Sequence, residues 1–182
     1  MTTAMPVLTT PRLSVRPFTP ADLAVCHRLF DYEAWETGQT LDARREWLAW
    51  TVGNYAALAR LFQPPYGDRA VALRATGEVV GSVGLVPALG PFDRLPSFAN
   101  RPAADHFSPQ VGLFWAMRLG HRRQGYTAEA AQALIDYAFQ ALRLGCVVAM
   151  TDYENAASQA VMRRLGMTLE HNPASEPAWF QV

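Results

Sequence analysis

The stretch from residue 110 to residue 150 constrains this chain more than any other. Gln110–Met117 (QVGLFWAM) reads as a mostly buried strand. A helical pattern follows from about Gln124 to Leu144, with Ala131, Ile135, Ala138 and Leu142 on its inward face. Cys146–Met150 (CVVAM) is a short continuous apolar run, the signature of a parallel strand covered on both faces. Strand, helix and strand in that order make a right-handed crossover joining two parallel strands. Any fold of this chain must therefore hold a parallel pair with a helix packed across it.

The flanking sequence supplies antiparallel partners. Arg12–Arg16 alternates polar and apolar, as a half-buried strand does. Thr19-Pro20-Ala21-Asp22 opens a helix: Thr19 caps, Pro20 suits the first position, and Asp22 sits at the positive end. Leu23, Cys26, Leu29 and Phe30 form its apolar face. Asp42–Phe62 predicts a longer helix with the stripe Leu48, Val52, Tyr55, Ala59 and Phe62. Ala70–Arg74 and Glu78–Val86 flank Ala75-Thr76-Gly77 and predict a hairpin. Residues 87–109 carry Pro, Asn and Asp without periodicity, and read as a long surface loop. Asn155–Leu165 reads as a helix closed by Gly166, followed by weaker strand candidates at Met167–Glu170 and Ala178–Val182. The order predicts one α/β domain of the α+β kind over residues 1–182, built on a mixed sheet. A chain of 182 residues, 50% of them hydrophobic, suits a single core.

Composition excludes several functions. Acids and bases balance at 16 each, so no broad attraction to nucleic acid or to a membrane surface is expected. All 16 basic residues are Arg. Without Lys the chain builds neither a P-loop nor a Schiff base. Cys26 and Cys146 lie far apart among apolar residues and read as buried thiols. The N-terminus lacks the charged and apolar regions of a secretory signal, and no apolar run approaches about 18 residues, which predicts a soluble cytoplasmic protein. The histidines show no metal-ligand spacing, and neither G-x-S-x-G nor G-x-G-x-x-G occurs. No catalytic metal, hydrolase elbow or dinucleotide is implied.

The chemistry concentrates in Arg118–Glu129, between a buried strand and a helix. The first turn of a helix carries unpaired N–H groups and a positive dipole end, which together suit a phosphate. Gly125 lets the backbone approach a ligand, and Arg122 and Arg123 add charge. An ordinary solvated loop has the same composition, so the loop alone leaves both readings open. Its spacing says more. Arg122-Arg123-Gln124-Gly125-Tyr126-Thr127 resembles the pyrophosphate loop of the GNAT superfamily, Q/R-x-x-G-x-G/A, with Thr127 in place of the small residue. Asn155–Met167 resembles the family's N-x-x-S-x-x-V-x-x-K-L-G-F/M block, with Arg164 for Lys and Met167 for Phe. Thr9–Phe18 is similar to the opening strand of the ribosomal-protein-alanine N-acetyltransferase-like (RimJ/RimL-type) branch.

That resemblance implies a mostly antiparallel sheet with a central splayed parallel pair, flanked by helices, and acetyl-CoA as cosubstrate in the gap. The backbone of Trp115, Ala116 and Met117 would meet the pantetheine arm. Arg122, Arg123, Gln124, Gly125, Tyr126 and Thr127 would surround the diphosphate, and Asn155 and Ser158 would face the pantetheine or the sulfur. Asn155 also reads as a plain N-cap. The implied reaction is direct attack on the thioester by a primary amine of a protein N-terminus, an amino acid or a small molecule. Ser158 is the catalytic candidate, donating to the departing sulfur. Gln110 stands where many relatives carry a Glu base and Met162 where many carry a Tyr acid, and Gln takes no proton. Glu33, Glu36, Asp105 and His106 are the remaining candidates for the base. The aromatic segments Tyr32–Trp35 and Pro91–Phe107 would wall the acceptor pocket. The departures at 110 and 162 also suit a non-catalytic acyl-CoA-binding or sensing module. A homodimer through the end of the sheet is the assembly considered for such a chain.

Overall fold

In a computed structural model, residues 5–98 and 107–171 are described. The strands are β1 (Leu8–Thr9), β2 (Leu13–Pro17), β3 (Gly67–Leu73), β4 (Val79–Gly90) and β5 (Ser108–Met117). They form one sheet in sequence order, each neighbouring pair antiparallel. The alternation that predicted β2 is physical: Leu13 and Val15 are fully buried, and Ser14 and Arg16 are not. The helices are α1 (Leu23–Arg28), α2 (Leu41–Arg60), α3 (Tyr126–Gln140) and α4 (Ala156–Arg164). None among the described residues is long and apolar enough to cross a membrane.

Side chains alternate across β3, so its neighbours serve different cores. Val71 joins Val15, Val83 and Leu85 under α3, where Ala131, Leu134 and Ile135 pack. Burying a side chain such as Leu134 contributes about 1.5–3 kcal/mol. Ala70 and Ala72 face the other way, against Cys26, Leu29, Phe30 and Leu48 of the α1–α2 layer. Burial there pushes the Cys26 thiol up to about 12, so it carries no thiolate at neutral pH.

Four expectations change. The α2 stripe does not run to its end, because Phe62 lies past the helix with φ +55° and is 81% exposed. Arg44 and Thr51 take inward positions instead. Residues 87–109 are not all loop: Pro87–Gly90 pairs with Ser108–Val111, and buried Phe92 and Leu95 pack with Ala88. The prolines and the broken period had concealed that extension. Among the described residues, Cys146–Met150 contributes one parallel bridge, Gly112 to Val148, and residues 146–149 are half-buried rather than covered. Leu113 N–H donates to the Val148 carbonyl (2.7 Å) and Val148 N–H to the Val111 carbonyl (3.0 Å), after which the two segments part. Among the described residues Met167–Glu170 pairs with no strand, and Ala178–Val182 lies outside them.

Asp68 on β3 shares a 3.4 Å hydrogen bond with Ser82, and burial pushes its carboxyl up to about 6. An unfolded Asp titrates near 3.9, so the folded chain binds the proton more tightly, and stability falls as pH rises from about 4 through about 6. Asp68→Asn is expected to add about 1–2 kcal/mol at pH 8 and almost nothing at pH 4. Thermal melts at the two pH values check this; equal shifts at both would contradict it.

Candidate active site

Between β5 and α3 the chain makes a 3-10 turn, Leu119–His121, and then an exposed loop. Arg122 is extended, Arg123 sits at φ +61° and Gly125 at φ +79°. The left-handed conformation costs a residue with a side chain about 1–2 kcal/mol, and such strain concentrates at functional sites. Gly125 occupies the N-cap of α3 and offers no side-chain oxygen. The first intrahelical bond runs from Glu129 N–H to the Gly125 carbonyl (3.1 Å). Among the described residues, no protein group accepts from the backbone N–H groups of Arg123 to Ala128. Unpaired donors thus gather at the positive end of a 15-residue helix.

These amides open onto a cleft of about 850 Å³. The end of β5 forms one wall, α4 another, and Ala34-Trp35 a third. Among the sequence candidates, Trp115, Ala116, Met117, Arg122, Arg123, Gly125, Thr127, Asn155 and Ser158 all border it. The side chains of Gln124 and Tyr126 are engaged in the loop instead. Gln124 Nε2 donates to the Gly120 carbonyl (3.2 Å), and the Tyr126 ring lies under the Arg12 guanidinium (4.5 Å).

The free edge of β5 follows from strand parity. Leu113 N–H points at Val148, so Trp115 and Met117 turn their backbone groups the same way. Segment 146–150 has parted from β5 by then. Ala116 points its carbonyl toward β4, where a methyl built on Gly81 would meet it at 2.5 Å. Trp115 and Met117 therefore line the open edge with backbone, whereas Ala116 gives its backbone to the sheet.

Asn155 caps α4, its Oδ1 accepting from Ser158 N–H (3.1 Å). Trp115 Nε1 donates to Ser158 Oγ (3.3 Å). With that lone pair occupied, the hydroxyl keeps its own hydrogen for another acceptor.

Arg122 and Glu33 have other duties than their sequence positions suggested. Arg122 donates to the Met117 carbonyl (3.1 Å) and to the Glu33 carbonyl, so its guanidinium braces the loop at the edge of the cleft. The Glu33 carboxylate accepts from Leu119 N–H (2.9 Å) and from Arg28. Burial works to raise its pKa, but the Leu119 amide and Arg28 outweigh it and hold the carboxyl below the ordinary range. A carboxylate so held is a poor base. It ties the π-helical turn Leu29–Ala34 to the loop after β5. Glu36 is exposed at φ +50°, and Asp105 and His106 lie outside the described residues. Gln110 accepts from the Cys146 thiol (3.2 Å), and Met162 is buried.

Sequence reasoning missed Arg12, Glu129 and Arg164. Glu129 accepts from Thr10 Oγ1 (2.5 Å), Arg12 N–H (3.0 Å) and Arg12 Nε (2.6 Å), fastening the N-terminal strands to the first turn of α3. Burial works to raise the Glu129 pKa, but the Thr10 and Arg12 hydrogen bonds hold it below its usual value. A methyl built on Gly125 would lie 3.4 Å from Arg12 Nη2 and 3.9 Å from Arg164 Nη2. The only trace of Arg164 in the sequence was its place in the second motif block.

Comparison with known proteins bears on the family and the fold. A family model of the acetyltransferase (GNAT) domain matches residues 12–168. The chain is 35% identical over 72 residues to the uncharacterized N-acetyltransferase YjdG of Bacillus subtilis (strain 168), covering 40% of this chain and 43% of that protein. The match thus spans less than half of that relative's length. The fold is similar to an acetyltransferase from Agrobacterium tumefaciens str. C58 (TM-score 0.68, 28% identity, 95% and 90% of the two chains covered). It is also similar to the RimL ribosomal L7/L12 alpha-N-protein acetyltransferase in complex with coenzyme A (TM-score 0.63, 17% identity, 91% and 85% covered), where the likeness is one of fold alone.

Proposed function

The chain belongs to the GNAT acetyltransferase family, and from that premise we propose that it transfers the acetyl group of acetyl-CoA to a primary amine. The run of unpaired amides from Arg123 to Ala128, opening on the cleft, carries this reading. Those donors take the diphosphate. The open-edge backbone of Trp115, with the N–H of Met117, whose carbonyl is taken by Arg122, pairs with the pantetheine arm as a missing strand would. The acyl end then reaches Ser158.

The amine nitrogen attacks the thioester carbonyl carbon. A C–N bond forms, and the carbonyl oxygen becomes an oxyanion met by a backbone N–H on the β5 edge. The C–S bond then breaks and its electron pair leaves on sulfur. Ser158, oriented by Trp115, donates its hydrogen bond to that thiolate, and the proton lost from the nitrogen balances the charge. Among the candidates for the base, Glu33 is committed to the loop. The reaction accordingly depends on an amine that arrives neutral and positioned. Trp35, stacked on Phe30 (4.8 Å) and 6.1 Å from Phe114, provides an apolar wall that disfavours the ammonium form. Protein N-termini come first among acceptors, because the similarly folded RimL acts on a protein α-amine.

Acetyl-CoA consumption against a panel of peptides, amino acids and small amines tests the proposal. Ser158→Ala is expected to lower kcat about 10- to 100-fold and to leave coenzyme A affinity within about threefold. An unchanged kcat would remove Ser158 from the chemistry. Tight coenzyme A binding with no turnover on any amine would favour a sensing module, the reading that Gln110 and Met162 support.

A further inference from the structure

Helix α2 buries one face and leaves the opposite one uncovered by the described residues. Arg44, Leu48 and Thr51 point into the fold. Glu46, Trp50, Gly53, Ala57 and Arg60 step by four and three along the far side, and all are exposed. A helix face turned to water ordinarily carries charge. Here no charged residue occurs from Trp47 to Ala59, and Trp50 stands 64% exposed. Gly53 sits at the middle of the stripe, where a glycine weakens a helix. Apart from its chain neighbours and its own helix backbone, nothing among the described residues lies within 4 Å of where its Cβ would be, so the fold itself does not require it. The two ends of the stripe carry opposite charge. Glu46 and Arg60 each lie seven residues from Gly53, and neither has a hydrogen-bond or ion-pair partner among the described residues.

We propose that α2 packs antiparallel on α2 of a second copy of this chain, about a twofold axis at Gly53. A twofold interface must be complementary to itself, and this face is. Reversing the helix about Gly53 sets Glu46 opposite the partner's Arg60, and Arg60 opposite the partner's Glu46, about 10 Å on either side of the axis. The same operation lays each Trp50 against the partner's Ala56 and Ala57, whose small side chains leave room for an indole. Gly53 meets its own counterpart at the crossing, where the missing side chain lets the helices approach closely. A parallel pair would set like charges together at both ends, so charge selects the antiparallel one. No α2 residue lines the cleft between β5 and α4, so the dimer leaves it open and does not depend on the acetyl-CoA reading.

Sedimentation equilibrium of the full chain, with no ligand added, tests this. Wild type is expected to dimerise with a roughly micromolar Kd, because one helix face is a small interface. Trp50→Ala should raise that Kd about 10- to 100-fold. Glu46→Arg and Arg60→Glu each bring like charges together twice across the axis, and each should raise it about tenfold. An equimolar mixture of those two variants is the decisive arm. In the mixed dimer every Arg again faces a Glu, so association should return to the wild-type level. A folding defect in either variant could not be repaired by mixing, which separates the interface from helix stability. A wild type that stays monomeric up to about 500 µM would overturn the proposal. So would a dimer indifferent to Trp50→Ala, which would move the contact to another surface such as the end of the sheet, or a mixture that associates no better than its components.

Discussion

Replacing Gly125 by glutamate is expected to weaken coenzyme A binding by at least about a hundredfold, or roughly 3 kcal/mol, while the chain still folds. Two effects add. At φ +79° any side chain meets left-handed strain of about 1–2 kcal/mol. The larger effect is electrostatic. The new carboxylate would project toward Arg12 and Arg164 and pair with them, acting as an internal competitor for the diphosphate. It would also repel the ligand's own charge. Gly125→Ala supplies the strain without the charge, and should cost only about tenfold. Calorimetry with both variants, alongside a thermal melt, checks the pair. Wild-type affinity in Gly125→Glu would mean that the diphosphate does not sit on this turn.

The second large effect concerns stability. Asp31→Ala is expected to cost about 3–5 kcal/mol, because it strands a buried guanidinium. The Asp31 side chain is fully buried and accepts from Arg44 Nε (2.9 Å) and Nη2 (2.7 Å), from Thr37 and from Gln39 N–H (3.3 Å), with His27 Nδ1 at 2.8 Å. Arg44 in turn lies over Phe30 (5.1 Å) and Trp47 (4.8 Å). Burial works to raise the Asp31 pKa, yet Arg44, Thr37 and His27 together hold it well below the usual carboxylate range. The stability it contributes is therefore present above the unfolded pKa near 3.9 and is lost as pH falls toward the depressed folded value. Urea unfolding at pH 7 measures the loss. Adding Arg44→Met removes the stranded charge and should recover more than half of it. A loss below about 1 kcal/mol in Asp31→Ala would show that the pair is solvated. The network also fixes the segment carrying Glu33 and Trp35, so acceptor binding should suffer with it.

What the sequence made legible is local. The period of two in Arg12–Arg16, the apolar face of α3, the Asn155 cap and the glycine before α3 each depend on neighbours a few residues away. What stayed hidden depends on distant partners. Arg122 sits in the loop motif, yet its side chain turns back to Glu33, far earlier in the chain. No local pattern separates a carboxylate that takes a proton from one that holds a loop, and Glu33 is of the second kind. CVVAM is apolar enough for a covered strand, but among the described residues β5 and this segment diverge after one bridge, leaving it half-exposed and opening the edge proposed for the pantetheine arm. Arg164 lies within reach of Gly125 only because α4 returns alongside α3.

The proposed function rests on the amides after β5 holding the diphosphate of acetyl-CoA. A crystal structure with coenzyme A bound tests it most directly. The account predicts diphosphate oxygens about 2.7–3.2 Å from amide nitrogens between Arg123 and Ala128, with the sulfur beside Ser158 Oγ. A diphosphate seated elsewhere, with those amides facing solvent, would contradict it.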